Sequence, residues 1–174
     1  MVNHLLGLLM VLLHFKQKEE AQTVYYYLYN NCLLYTSLVL CQVETGEHET
    51  HPSNFRAAAE AVVSDEWWFG FEQEYFLTNP DGTILGWEDG TPDRPQGEYY
   101  CAVGASNVKG REISDAHLDA CLDAGIELTG TNAEVALGQW EYQCFGKGIK
   151  AADDLWVSRY LLYKVCLLYT SPSP

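Results

Sequence analysis

A six-residue sequence, Cys-Leu-Leu-Tyr-Thr-Ser, occurs twice in this chain of 174 residues and limits how much of it can form one domain. The first copy begins at Cys32, and the second begins at Cys166 and ends the chain as Ser-Pro-Ser-Pro after Thr170. Structural repeats recur about every 20–50 residues in three or more copies, so two distant perfect copies do not indicate a repeat architecture. The second copy resembles a translated sequencing adapter. We therefore predict that residues 1–37 are non-native and that residues 166–174 are an adapter-like tail; a duplicated native motif is the alternative.

Acidic residues outnumber basic ones, with 24 Asp and Glu against 10 Lys and Arg and a net charge of −14. Such a surface repels phosphate backbones and anionic lipids, so we expect neither nucleic acid nor a membrane as a partner. The apolar run at residues 5–13 is shorter than the roughly 20 residues that a membrane span needs. The six cysteines show no CxxC pair, which favours reduced thiols and a cytoplasmic location, with a plastid as the alternative.

Strand and helix patterns alternate between the two repeat copies, which predicts an α+β domain. Strands are predicted at residues 38–43, 67–77, 126–128 and 134–143. Helices are predicted at residues 53–63, 113–124 and 153–165. Ser53 is the expected N-cap of the first helix, and Gly125 is expected to end the second. A turn is predicted at residues 79–82 and an ordered loop at residues 86–98.

Two carboxylates, Glu72 and Glu74, lie two residues apart in the predicted strand 67–77. Because side chains alternate along a strand, both project from one face, opposite Phe71 and Tyr75. Two close like charges repel unless a cation or solvent screens them, and Mg²⁺ or Mn²⁺ prefers oxygen ligands. The pattern predicts either a cation site or the solvated outer face of a half-buried strand.

A second pair, Glu134 and Glu141, is separated by seven residues. That interval fits two positions on adjacent strands joined at residues 137–138, or one long bent strand. Trp140 and Tyr142 flank Glu141 and are predicted to face the other way, which is typical of a strand buried on one side. An ordinary exposed carboxylate is the alternative at both positions.

Several segments resemble the eukaryotic-type (type II) glutamine synthetases, in the family's order and at nearly its spacing. They are WFGFEQEY (68–75), RPQGEYYCAVGA (94–105), GREISDAHLDACLDAGI (110–126), GTNAEVALGQWEYQ (130–143) and DDLWVSRYLL (153–162), with LVLCQV and HPSNFRA (38–43 and 51–57) before them. The resemblance covers about residues 38–165. It implies a remnant of the N-terminal β-grasp domain at residues 38–50. It also implies the first part of the catalytic domain at residues 51–165, an antiparallel sheet of a half-barrel packed with helices.

The resemblance implies an ATP-dependent ligase that joins ammonium to L-glutamate through a γ-glutamyl phosphate, with Mg²⁺ or Mn²⁺, in a homo-oligomer of two stacked rings. By this resemblance Glu74, Glu134 and Glu141 match the ligands of the ion near the glutamate, and Glu72 matches a ligand of the ion at the ATP phosphates. The stretch 141–146 matches a segment lining the nucleotide. The implied nucleotide-binding residues are Glu72, Glu141, Tyr142 and Gln143.

The chain also departs from the family. Its sequence after Gln143 reads Cys-Phe-Gly where the family has an Ile-Gly-Pro type sequence, and the family's later metal-binding and substrate-binding segments do not occur. We therefore expect the catalytic residues to lie outside this chain, which would hold half a metal site and show no turnover by itself. Two alternatives stay open: a related γ-glutamyl carboxylate–amine ligase on the same fold, and an acidic, non-catalytic metal-binding module.

Overall fold

The computed structural model describes residues 21–31, 36–87 and 99–170. Predictions for residues 1–20, 32–35, 88–98 and 171–174, including most of the loop at residues 86–98, lie outside that part of the chain. The elements in chain order are β1 (Ala21–Asn31), β2 (Thr36–Thr45), α1 (Phe55–Glu60), β3 (Trp68–Phe76), α2 (Arg111–Asp123), β4 (Leu128–Ala133), β5 (Gln139–Lys147) and α3 (Gly148–Thr170). The α+β class is confirmed. Among the described residues, no helix is both long enough and apolar enough to cross a membrane.

A three-stranded antiparallel sheet positions the carboxylates, with β5 between β3 and β4. The predicted strand at residues 67–77 is confirmed as β3, and its side chains alternate between the exposed and the half-buried face. Strand bounds differ elsewhere, because residues 134–138 form a turn between β4 and β5 rather than the start of a strand. Gly138 has φ of 80°, and an added Cβ would lie 2.5 Å from the carbonyl oxygen of Leu85, so this turn requires glycine.

Strands β1 and β2 form a separate two-stranded antiparallel sheet. The predicted strand at residues 38–43 lies within β2 and is confirmed. The further assignment of residues 38–50 to a β-grasp remnant stays a prediction, because two strands are compatible with many folds. The predicted turn at residues 79–82 is also present, with the Gly82 N–H donating to the Asn79 carbonyl over 2.9 Å.

The helix bounds differ from the predicted ones in two places. Asn54, not Ser53, is the N-cap of α1, because its side chain accepts from the Ala57 N–H while the Ser53 hydroxyl bonds His51. Helix α2 ends as predicted at Gly125, where φ is 76° and the Ile126 N–H donates to the Cys121 carbonyl. Helix α3 begins five residues before Asp153 and continues through Thr170. The adapter-like residues 166–170 are therefore helical, and their non-native origin stays a prediction.

Helices α2 and α3 cover one face of the three-stranded sheet, and the core lies between. One buried cluster contains Cys121, Ile126, Tyr142, Cys144, Leu155, Val157 and Leu161. A second contains Leu77, Val108, Ile113, Ala120, Ala133, Trp140 and Val165. Strand β5 contributes to both clusters, so burial of its helix-facing side fixes the orientation of its other side, which bears the acids.

His117 of α2 is buried in this layer, with its Nε2 2.9 Å from the Ser158 carbonyl and its ring 4.7 Å from that of Tyr142. Burial lowers its pKa to about 4, below the ordinary value of 6.5. The unfolded chain therefore binds a proton that the folded chain excludes, and stability is lost as the pH falls from about 6.5 towards 4. The loss attributable to this residue by pH 4 is on the order of 3 kcal/mol.

We expect urea unfolding of the wild type to show this loss between pH 7 and pH 4. The variant His117→Gln retains an N–H donor but has no group that titrates in this range, so its free energy of unfolding should fall less steeply with pH. Equal pH slopes for the two proteins would assign the acid sensitivity to other groups.

Candidate metal centre

The sheet face that points away from the helices brings three carboxylates together. Strands β3 and β5 pair so that Glu74 lies directly opposite Glu141. Glu134 follows the last residue of β4, which pairs with the same central strand. Of the two predicted arrangements, adjacent strands joined near residues 137–138 is the closer to the structure, but Glu134 lies in the turn just after β4 and not on the strand itself.

One carboxylate oxygen from each of Glu74, Glu134 and Glu141 lies within 4.8 Å of the others. Glu134 and Glu141 are only 6% and 7% exposed, while Glu74 is exposed. In the described part of the chain, no basic side chain forms an ion pair with any of the three. Like charges directly opposite on a sheet destabilise it. The donor set of three close oxygens with two buried charges therefore fits a hard divalent cation.

Neutral groups orient these carboxylates. The Gln139 amide donates to Glu74 over 2.8 Å, and Glu134 accepts from the Val135 N–H over 3.0 Å and from Asn132 over 3.3 Å. The Gln143 amide donates to Glu141 and also to Asn132, over 3.0 Å for the latter. These donors fix oxygen positions without neutralising charge, so the group keeps its net negative charge.

Glu72 is placed on the same exposed face but is not one of the three converging residues. It lies opposite Gln143 in the register of β3 and β5, two residues along the strand from Glu74 and hence about 7 Å away. The structure therefore separates the four acids into a group of three and a neighbour. The division of these acids between two ions, which the resemblance implies, stays a prediction.

Tyr142 and Gln143 point in opposite directions because neighbouring side chains alternate on β5. Tyr142 is fully buried on the helix side, where its hydroxyl is 2.8 Å from the Ser158 hydroxyl. Its side chain therefore takes no part in the acidic face, and only its backbone is left for the contact with a nucleotide that the resemblance implied. Gln143 lies on the acidic face, within hydrogen-bonding distance of Glu141.

The amides of Asn132 and Gln139 are not among the predicted site residues. A signal for Gln139 was available, because the sequence Gln139-Trp140-Glu141-Tyr142-Gln143 places an amide two residues before and two residues after a carboxylate. In a strand all three polar side chains share one face. Alternation alone would therefore have placed Gln139 beside the acids.

Comparisons with known proteins give a consistent set of relatives, although no protein-family profile matches the chain. Glutamine synthetase 1, mitochondrial, from Drosophila melanogaster is 49% identical over 136 residues, which are 76% of this chain and 34% of the relative. The chloroplastic glutamine synthetase of Zea mays is 49% identical over 136 residues, or 74% and 32% of the two chains. The glutamine synthetase of Rattus norvegicus is 45% identical over 136 residues, or 74% and 36%. The chain thus spans about a third of the length of the curated relatives it matches.

Proposed function

We propose, from the similarity of 136 residues to eukaryotic glutamine synthetases, that this chain provides part of the cation site of a glutamate–ammonia ligase. The reaction proposed is the ATP-dependent joining of ammonium to L-glutamate. The observation that supports this most directly is the group formed by Glu74, Glu134 and Glu141, two of which are buried carboxylates without an ion pair in the described residues.

In this proposal Glu74, Glu134 and Glu141 hold one Mg²⁺ or Mn²⁺ ion near the glutamate. Glu72, further along β3, is a ligand of a second ion at the ATP phosphates, with Gln143 beside it on the same face. Such ions supply positive charge that screens the phosphate oxygens during phosphoryl transfer. The protein's own contribution is to hold four acids on one rigid sheet face, oriented by neutral amides.

Turnover needs positive groups that hold glutamate and phosphate. Within the described residues, the acidic face offers carboxylates and amides but no Lys or Arg paired with them. We therefore propose that the chain by itself binds cations without completing the reaction. The β-grasp origin of β1 and β2, assembly into two stacked rings and a cytoplasmic or plastid location belong to the same proposal.

The proposal predicts cation-dependent nucleotide binding. In equilibrium dialysis with the full chain, ATP should be retained when Mn²⁺ is present at a fixed free concentration and not when Mn²⁺ is chelated. The variant Glu72→Gln should lower ATP retention severalfold while leaving Mn²⁺ binding in the absence of nucleotide close to wild type. This separation is expected because Glu72 lies outside the group of three.

The matched control is Asp119→Asn, the same loss of charge at an exposed position on α2. This variant should bind both Mn²⁺ and ATP as the wild type does. Mn²⁺ binding that is indifferent to ATP in every variant would contradict the ligase proposal and support an acidic, non-catalytic module.

A further inference from the structure

Gln139 is held at both ends of its side-chain amide. Its Oε1 accepts from the Ala136 N–H over 3.1 Å, and its Nε2 donates to the Glu74 carboxylate over 2.8 Å. Since the oxygen is engaged by a backbone N–H, the amide can present only its N–H to Glu74. The turn between β4 and β5 thus orients the group that contacts Glu74 on β3.

Glu74 needs such a partner more than the other two carboxylates. Glu134 and Glu141 are buried and have little freedom, whereas Glu74 is on the exposed face of an outer strand of the three-stranded sheet. Gln139 is the register partner of Phe76, which makes it a diagonal neighbour of Glu74 across the strand pair. A diagonal pair on a sheet is within reach of a long side chain.

We propose that Gln139 is a positioning residue that holds the exposed Glu74 carboxylate against the two buried ones, so that three oxygens are preorganised for a cation. The inference rests on the proposed function of this group as a cation site. A Lys at this position would also bond Glu74, but its charge would offset that of the carboxylate and oppose a bound cation. An amide orients the carboxylate and leaves its charge free.

Partners that orient a metal ligand typically change metal affinity about 10- to 100-fold when they are removed. We therefore expect Gln139→Leu to raise the Mn²⁺ dissociation constant of the full chain at least about tenfold. The readout is the electron paramagnetic resonance signal of free Mn²⁺ during titration, which does not depend on enzymatic activity. Gln139→Met, which retains an unbranched side chain, should show the same loss of Mn²⁺ affinity. It replaces Gln139→Leu in the test if circular dichroism shows that Gln139→Leu folds poorly.

A double-mutant cycle separates positioning from general structure. In a Glu74→Gln background, the further change Gln139→Leu should cost little affinity, because the carboxylate it positions is already gone. The control Gln73→Leu removes a side-chain amide of the same kind from the residue next to Glu74 in the sequence. The Gln73 amide accepts from Arg159 over 2.6 Å and donates to the backbone carbonyl of Glu74 over 2.7 Å, not to its carboxylate, so this variant should weaken Mn²⁺ binding much less than Gln139→Leu does.

Each outcome bears on a different claim. Wild-type chain that binds no Mn²⁺ would overturn the proposed cation site and this inference with it. Wild-type binding that both Gln139 variants leave unchanged would overturn the positioning role alone and leave the cation site standing. Fully additive losses in the cycle would also reject the role, because they show that Gln139 does not act through Glu74.

Discussion

Replacing Glu141 by Gln is expected to raise the Mn²⁺ dissociation constant about a hundredfold or more, which corresponds to a loss of about 2.7 kcal/mol of binding free energy. Glu141 is 7% exposed on the central strand and lies directly opposite Glu74. The amide preserves the size of the side chain and retains an oxygen that can accept from Gln143. Only the charge of one ligand is lost, so the titration reports on coordination rather than on shape.

For the same variant, the expected effect on stability has the opposite sign to the effect on Mn²⁺ binding. Without cation, Glu141→Gln should be at least as stable as the wild type, because it removes repulsion between carboxylates that no basic residue of the described chain offsets. At Mn²⁺ concentrations of about 100 times the dissociation constant, the wild type should gain about 2.7 kcal/mol and the variant almost nothing.

Thermal unfolding with and without Mn²⁺ measures both effects at once. Asp119→Asn, with the same charge change on the exposed side of α2, should keep the full Mn²⁺ response. A Glu141→Gln protein that is destabilised without cation and still responds to Mn²⁺ would show that this carboxylate is structural.

Much of the acidic face could be predicted from the sequence because strand alternation is a local property. The two-residue interval between Glu72 and Glu74 is enough to place both on one face, and the alternating burial along β3 agrees. The flanking aromatics of Glu141 likewise indicated which side of β5 is buried, and Trp140 and Tyr142 are 1% and 0% exposed. In each case one residue constrains its neighbours through backbone geometry.

Contacts between strands could not be predicted in this way. Alternation does not give the register that sets Glu74 opposite Glu141, nor the diagonal reach of Gln139 to Glu74. Residues 134–138 are predicted as strand but form a turn: polar and apolar residues alternate only from Gln139 onward, and the positive φ of Gly138 and its close approach to Leu85 depend on tertiary packing. The cap at Asn54 was missed for a similar reason, since Asn54 also donates to the Val43 carbonyl of β2.

Replacing Trp140 by Ala is expected to destabilise the chain by about 3–5 kcal/mol, the usual range for truncating a large buried aromatic. Trp140 is 1% exposed in the second core cluster, beside Leu77 and Ile113. Its indole N–H donates to the Lys109 carbonyl over 2.7 Å, so the variant also leaves a backbone acceptor without this partner. A domain of ordinary stability has only about 5–15 kcal/mol to lose.

Chemical denaturation of three variants tests the origin of this loss. Trp156→Ala, at a position of α3 that is 50% exposed, should cost less than about 1 kcal/mol. Trp140→Phe should fall between the two, because it retains an aromatic ring in the core and loses the hydrogen bond. Because Trp140 and Glu141 occupy opposite faces of β5, loss of Mn²⁺ binding in Trp140→Ala should follow the unfolded fraction. Weaker Mn²⁺ binding in a fully folded Trp140→Ala protein would show instead that core packing tunes the acidic face directly.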